Sequence, residues 1–266
     1  MKKKKKSSWE YIGRGFLFLV MIPYYIVKGV YHLIKKIDKK VEKNEVEKRR
    51  KSIEGVYKKF KILKSQEGSF EEWEDGVIHS GSLIGVILGA RGSGKSAFGV
   101  KFLENVYAKT KKRCYAMGFP AEEMPSWINV VADISEIKND SFVLVDEGGI
   151  LFSSRKSMSA GNKLLSELIL ISRHKNLSIL FISQNSSNLE VNALRQADFL
   201  VLKKSSLLQK DFERKIVQKT YDSVKEDFEK FKENKGLAYI YGGNFKGFVS
   251  NSLPSFWGEK ISKGFR

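Results

Sequence analysis

The stretch VILGARGSGKSAF, residues 86–98, restricts this chain more than any other. An apolar run enters a loop of pattern Gly-x-x-x-x-Gly-Lys-Ser. A segment follows in which Phe98, Phe102 and Val106 recur on one helical face. Strand, glycine loop and helix in that order predict a phosphate cradle. Glycines let the backbone wrap until its N–H groups point at phosphate oxygens, and the helix N-terminus adds a favourable dipole. The expected nucleotide-binding residues are Gly89, Ala90, Arg91, Gly92, Ser93, Gly94, Lys95, Ser96 and Ala97. Lys95 is placed to reach the β- and γ-phosphates and Ser96 to offer its hydroxyl to Mg²⁺, so ATP and Mg²⁺ are the expected ligands.

About fifty residues downstream, SFVLVDEGG (141–149) reads as a short apolar strand ending in two carboxylates. Ligands of open α/β sheets bind at the carboxyl ends of strands. Asp146 is the expected Mg²⁺ residue, and Glu147 beside it is suited to polarise an attacking water. A second carboxylate there points to hydrolysis rather than to a small-molecule kinase, and no Arg-rich lid is apparent. A further strand in LSILFISQNSSN ends in Ser183-Gln184-Asn185. In the additional-strand class of P-loop ATPases a polar residue at this point senses the γ-phosphate, which makes Gln184 a candidate; an ordinary polar turn is the other reading.

These segments, with strands in RCYAMGF and DFLVLK, predict an α/β chain. The expected fold is a RecA-like additional-strand P-loop NTPase, its sheet mostly parallel with helices on both faces. The segment LLQKDFERKIVQKTYDSVKEDFEKFKENKG reads as one long amphipathic helix ending at Gly236. A β-hairpin turning at Gly242-Gly243-Asn244 follows it.

The net charge of +18 is unevenly placed. Residues 1–64 hold 20 Lys and Arg against 6 Asp and Glu, leaving 28 against 24 for the rest. Within that basic segment lies GFLFLVMIPYYIVKGVYHLI (15–34), about one hydrocarbon thickness as a helix. It reads as a spanning anchor. The 13-residue uninterrupted apolar run, Pro23 inside it and the amphipathic pattern beyond it leave an interfacial helix, or one buried against a partner, open. The expected division is a basic N-terminus and membrane-anchor helix at 1–34 and a charged helical stalk or linker at 35–76. The P-loop domain follows at 77–250, then a C-terminal tail at 251–266. The ATPase part is placed on the cytoplasmic side, where ATP is found. Cys114 is the only cysteine and the three histidines, His32, His79 and His174, are dispersed. An intramolecular disulfide is therefore excluded and a structural metal cluster disfavoured.

Taken together, GARGSGKS, VLVDEGG and ISRHKNLSILFISQNSSNLEVNALRQADFLVLKK resemble the FtsK–HerA superfamily of DNA-pumping ATPases over roughly residues 81–204. Within it, they are similar to the genome-packaging ATPases of archaeal membrane-containing viruses. They are also similar to the zonular-occludens-toxin-type assembly ATPases of filamentous phages. The resemblance implies nucleotide and Mg²⁺ binding by Gly89 through Ser96, Asp146 as the metal residue, Glu147 as catalytic base and Gln184 as sensor. It implies a homo-oligomeric ring, usually a hexamer, with an arginine finger supplied in trans. Arg173 leads that assignment, with Arg155 and Arg195 behind it; a surface salt bridge is the alternative for each. The basic loop SSRKSMSAGNK reads either as a sequence-independent DNA contact or as a plain solvated loop.

The chain also departs from that pattern. It shows no recognisable helix-turn-helix, OB fold or zinc ribbon, and its body is only mildly basic. The expected function is a membrane-anchored ring ATPase translocating DNA for packaging or transfer. The alternatives are a virion-assembly or secretion ATPase acting on protein or envelope, and a nucleotide-dependent switch or scaffold.

Overall fold

The computed structural model describes residues 24–31, 33–35, 37, 45, 50, 52–148, 150, 158–189, 191–206, 210–258 and 260–261. Contacts divide the chain into Met1–Arg49 and Arg50–Arg266. In the first unit the described residues from 24 to 37 are helical and expose Ile26, Val27, Val30 and Leu33. The first nine residues of the expected anchor, 15–23, lie outside the described residues. Among the described residues no helix is long and apolar enough to cross a membrane.

The second unit is built on one sheet of nine strands: β1 (Lys61–Gly68), β2 (Leu83–Leu88), β3 (Arg113–Met117), β4 (Ile128–Val130), β5 (Ser141–Asp146), β6 (Leu177–Ile182), β7 (Phe199–Leu202), β8 (Leu237–Gly242) and β9 (Phe245–Ser250). Its spatial order is β1-β9-β8-β7-β2-β6-β5-β3-β4. From β7 to β4 all pairings are parallel; β8, β9 and β1 extend the sheet antiparallel. The hairpin expected around Gly242–Asn244 is β8–β9. β6, which follows the two carboxylates in sequence, inserts between β2 and β5 and separates the phosphate-loop strand from the carboxylate strand.

Buried on both faces, the central strands are continuous apolar runs whose alternate residues feed two cores. Phe142 and Leu144 of β5 point to one face, Val143 and Val145 to the other. The first face is covered by α1 (Phe70–His79) and α2 (Lys95–Thr110), the second by α3 (Met158–Lys175) and α5 (Lys215–Ser223). Between α3 and α5 lies α4 (Val191–Arg195); after α5 comes α6 (Lys225–Lys230). Phe98, Phe102 and Val106 share the sheet-facing stripe of α2 and are fully buried. Phe98 and Phe102 meet Phe60 edge-on at 5.2 and 6.3 Å between ring centres.

Three expectations are corrected. Residues 35–76 are not a helical stalk throughout: 61–68 form β1, paired along β9, and 70–79 form α1, whose Phe70 and Trp73 enter the core. β1 is exposed except at Leu63, which packs on the second core, so it carries no apolar alternation and its pairing with β9 defines it. The expected long helix before Gly236 is interrupted at 212–214, where Arg214 is extended with ψ 145°, and again at buried Val224, which leaves helical geometry with φ −121°, giving α5 and α6 instead. The segment after 250 is tied down: Asn251 and Ile261 are buried, and Phe256 and Trp257 pack on the core.

The same core holds the entry of the chain. Glu104, fully buried on α2, accepts from the ammonium of Lys101 at 2.8 Å, from Val56 N at 3.1 Å and from Ser255 N at 3.2 Å. Lys101 Nζ also donates to Val56 O at 2.9 Å, and Trp127 Nε1 donates to Ile53 O at 3.0 Å. One buried ion pair therefore ties Val56 and, through Ser255, the C-terminal segment to the helix behind the phosphate loop.

Candidate nucleotide site

The loop between β2 and α2 takes its shape from backbone conformations that side chains disfavour. Gly94 caps α2 in the left-handed region at φ +87°, ψ 23°. At Gly89, φ is +148°, and an added Cβ would sit 2.7 Å from Lys203 Cβ. The loop is thus pressed against the end of β7. Lys203 N donates to Leu88 O at 2.8 Å, and Ala90 N donates to Lys204 O at 3.0 Å. Inside the loop, the ammonium of Lys95 donates to Gly89 O at 2.7 Å and Ala90 O at 2.8 Å. Burial pushes Lys95 down to about 8, with Asp146 and Glu213 opposing the shift. An incoming polyphosphate would supply the anion this buried cation lacks.

The carboxylates arrive from β5. Ser96 Oγ, at the second position of α2, donates to Asp146 Oδ2 at 3.1 Å. This bond joins the two expected motifs. A hydroxyl and a carboxylate side by side are hard oxygen donors of the kind Mg²⁺ takes, with its remaining positions left to phosphate and water. Among the described residues no cluster of three His, Cys, Asp or Glu side chains is present, so a cation held here would lean on such external ligands. Ser96 and Asp146 would hold it, and it would neutralise charge on the phosphates.

Glu147 is buried, and Ser183 Oγ from the end of β6 donates to its Oε2 at 2.5 Å. Burial raises the Glu147 carboxyl above the usual range; Asp146 adds to the rise and the Ser183 bond opposes it. Gln184 follows Ser183 and borders the same spot. A Cβ built on Gly148 would lie 3.8 Å from Gln184 Nε2 and 3.4 Å from Asp146 Oδ1. The structure thus brings Lys95, Ser96, Asp146, Glu147 and Gln184 to one edge of the sheet. Arg173, expected to act in trans on a neighbouring chain's site, lies away from the site of its own chain. Arg173 is exposed in the last turn of α3, next to the start of β6, so the length of that strand, roughly 20 Å, separates it from the site. The reason is antiparallel packing: α3 returns the chain to the far edge before β6 begins. Arg195, three residues before Asp198, which bonds with Ile84 at the start of β2, ends α4 toward that same far edge. Arg155 and residues 153–157 of the basic loop lie outside the described residues; the rest of that expected loop, 158–163, forms the first turns of α3.

Four further residues shape the site without having been singled out. Ser183 orients Glu147. Glu213, buried, accepts from Ser186 N at 2.6 Å, and Arg214 Nε donates to Ser186 O at 3.0 Å, fixing the turn after β6. Lys203, fully buried, reaches under the loop to donate from Nζ to Gly236 O at 2.8 Å and to Asn251 Oδ1 at 3.3 Å. Burial pushes Lys203 down to about 7, and the nearby Lys95 adds to the effect. The only trace of Lys203 in the sequence is a lysine closing the run FLVLKK, which reads equally well as a strand end meeting water.

With β6 between the loop strand and the carboxylate strand, fold and site give a mixed α/β domain consistent with a RecA-like P-loop fold. No protein-family model and no curated protein matches the chain. Among solved structures it is similar to B204, the DNA-packaging ATPase from Sulfolobus turreted icosahedral virus, with 15% identity over 65% of this chain and 98% of that one, at a TM-score of 0.44. It is also similar to ATPases 2 and 3 of EssC from Geobacillus thermodenitrificans, with 12% identity over 82% of this chain and 50% of that one, at a TM-score of 0.41. A KaiC-like protein from Pyrococcus horikoshii OT3 is similar at 12% identity over 74% of this chain and 94% of that one, at a TM-score of 0.40.

Proposed function

We propose that this chain is an ATP hydrolase whose work is done at a membrane. One observation carries the hydrolase reading: Glu147 is buried next to Asp146 and held by Ser183, while Asp146 is bonded to the loop serine, Ser96. In the reading, loop amides and Lys95 bind the phosphates. Bound Mg²⁺ would offset their charge. Glu147 accepts the proton of the attacking water, and Gln184 contacts the γ-phosphate end. A scaffold that only binds nucleotide has no use for a buried carboxylate oriented beside the metal residue.

The work coupled to hydrolysis is, in this proposal, DNA translocation by a ring of identical chains, as the motif resemblance implies. The segment 1–64, with its excess of basic residues around an apolar run, supports attachment to an anionic membrane. The charge distribution favours a second reading as well. Little of the net charge lies beyond residue 64, which suits an assembly or secretion ATPase acting on protein better than a channel gripping duplex.

The test is ATP hydrolysis by the full chain with and without long double-stranded DNA, with Glu147→Gln as control and flotation on vesicles containing anionic phospholipid. DNA-stimulated, Glu147-dependent turnover supports translocation. Glu147-dependent turnover indifferent to DNA selects the assembly reading. Binding of ATP without turnover overturns the hydrolase. Failure to float with the vesicles overturns the membrane assignment.

A further inference from the structure

Lys203 is a fully buried lysine between two parts of the fold that are distant in sequence. Its backbone is pressed against the phosphate loop: Lys203 N bonds to Leu88 O, and a Cβ at Gly89 would collide with Lys203 Cβ. Its side chain runs beneath the loop. A Cβ built on Gly94 would lie 3.7 Å from Lys203 Cε, and the ammonium stands 5.5 Å from the centre of the Phe98 ring, on the first turn of α2. Its tip leaves the loop and donates to Gly236 O and Asn251 Oδ1, the two ends of the β8–β9 hairpin. The connection is closed a second time, because Asn251 N bonds to Gly236 O at 3.3 Å. A third contact comes from α5, where Tyr221 OH donates to Lys203 O at 2.9 Å.

Burying an amine here is costly, and an apolar side chain of the same length would fill the space without that cost. What a methionine cannot do is bond to Gly236 and Asn251. The geometry points to Lys203 as a positioning residue. We propose that it ties the conformation of the phosphate loop to the ends of the C-terminal hairpin, so that loading the loop with nucleotide tightens residues 236–251. This rests on the reading of the loop as a nucleotide site. The hairpin carries β1 on its outer edge, and β1 follows directly on the segment held by Glu104. A change in the loop would therefore pass through Lys203 into the hairpin and β1.

The experiment uses the full chain, with ATPγS and Mg²⁺ as probe. Hydrogen exchange of peptides covering residues 234–253 is expected to slow when the probe binds the wild type. Lys203→Met is expected to raise KM for ATP about tenfold while kcat changes little, because the loop, not the carboxylates, is displaced. Asn251→Leu, which removes one acceptor and leaves Lys203 in place, is expected to raise KM in the same direction by about threefold. Ile128→Val, on the distant strand β4, serves as a variant weakened in stability alone.

Unchanged exchange at 234–253 in a wild type that binds ATPγS overturns the coupling. So does a KM in Lys203→Met or Asn251→Leu no higher than in Ile128→Val. If Lys203→Met does not fold, Asn251→Leu and the wild-type exchange decide. A wild type that does not bind ATPγS fails differently, since it overturns the nucleotide site and the coupling with it.

Discussion

Ser183 Oγ donates a 2.5 Å hydrogen bond to Glu147 Oε2, linking the end of β6 to the end of the neighbouring β5. The carboxylate is buried and would otherwise have several rotamers open to it. The bond selects one and lowers the cost of the ionised form. Ser183→Ala is expected to reduce kcat for ATP hydrolysis by roughly tenfold to a hundredfold with KM nearly unchanged, the pattern of a lost orienting contact. Glu147→Gln is expected to abolish turnover and keep ATPγS binding. Steady-state kinetics and binding titration check both.

Lys95→Met leaves the loop backbone in place and removes the buried cation. Binding of ATPγS is expected to weaken by at least tenfold, about 1.4 kcal/mol or more. Isothermal titration at fixed Mg²⁺ measures it, and an unchanged affinity would mean that the phosphates do not reach Lys95.

Lys101 and Glu104 form a buried pair that also holds Val56 and Ser255. Lys101→Met strands a buried carboxylate and is expected to cost about 3–5 kcal/mol of stability. The double change Lys101→Met, Glu104→Leu is expected to recover part of that loss. Chemical denaturation of both variants tests the pair.

A domain boundary at 77 discards Phe60, Phe70 and Trp73, all buried in the core. Each large aromatic lost from a core costs about 3–5 kcal/mol, comparable to a domain's whole stability after two or three such losses. A fragment beginning at residue 77 is expected to be insoluble or unfolded, and one beginning at residue 50 to fold. Circular dichroism and thermal melts of the two fragments distinguish these outcomes.

Lys203 titrates at about 7 in the folded chain and near its ordinary value of 10.5 when unfolded. Between these values the unfolded chain binds more protons, so stability from this group rises with pH; below about 7 both states are protonated and the penalty of the buried cation is complete. From pH 7 to 9 the contribution approaches about 1.4 kcal/mol per pH unit. Lys203→Met is expected to flatten the rise of denaturation free energy with pH over that window. A wild type whose stability does not rise there would show that Lys203 is not held neutral by burial.

Sequence alone determined the local chemistry of the site. A glycine loop needs particular backbone angles, a strand ending in Asp146-Glu147 needs only its own apolar run, and both are written in adjacent residues. The α/β class, the central strands and the β8–β9 hairpin followed from the same short-range signals. The tertiary structure decided everything that depends on who pairs with whom. β1 became a strand because β9 offers it an edge, although its own residues carry no apolar alternation. The expected long helix broke at 212–214 and again where Val224 was drawn into the core. Arg173 was carried to the far edge by the direction of α3, and Lys203 and Ser183 acquired their roles from neighbours many residues away. Local patterns encode conformation over a turn or a strand; burial and hydrogen bonding between distant segments are settled only when the sheet closes.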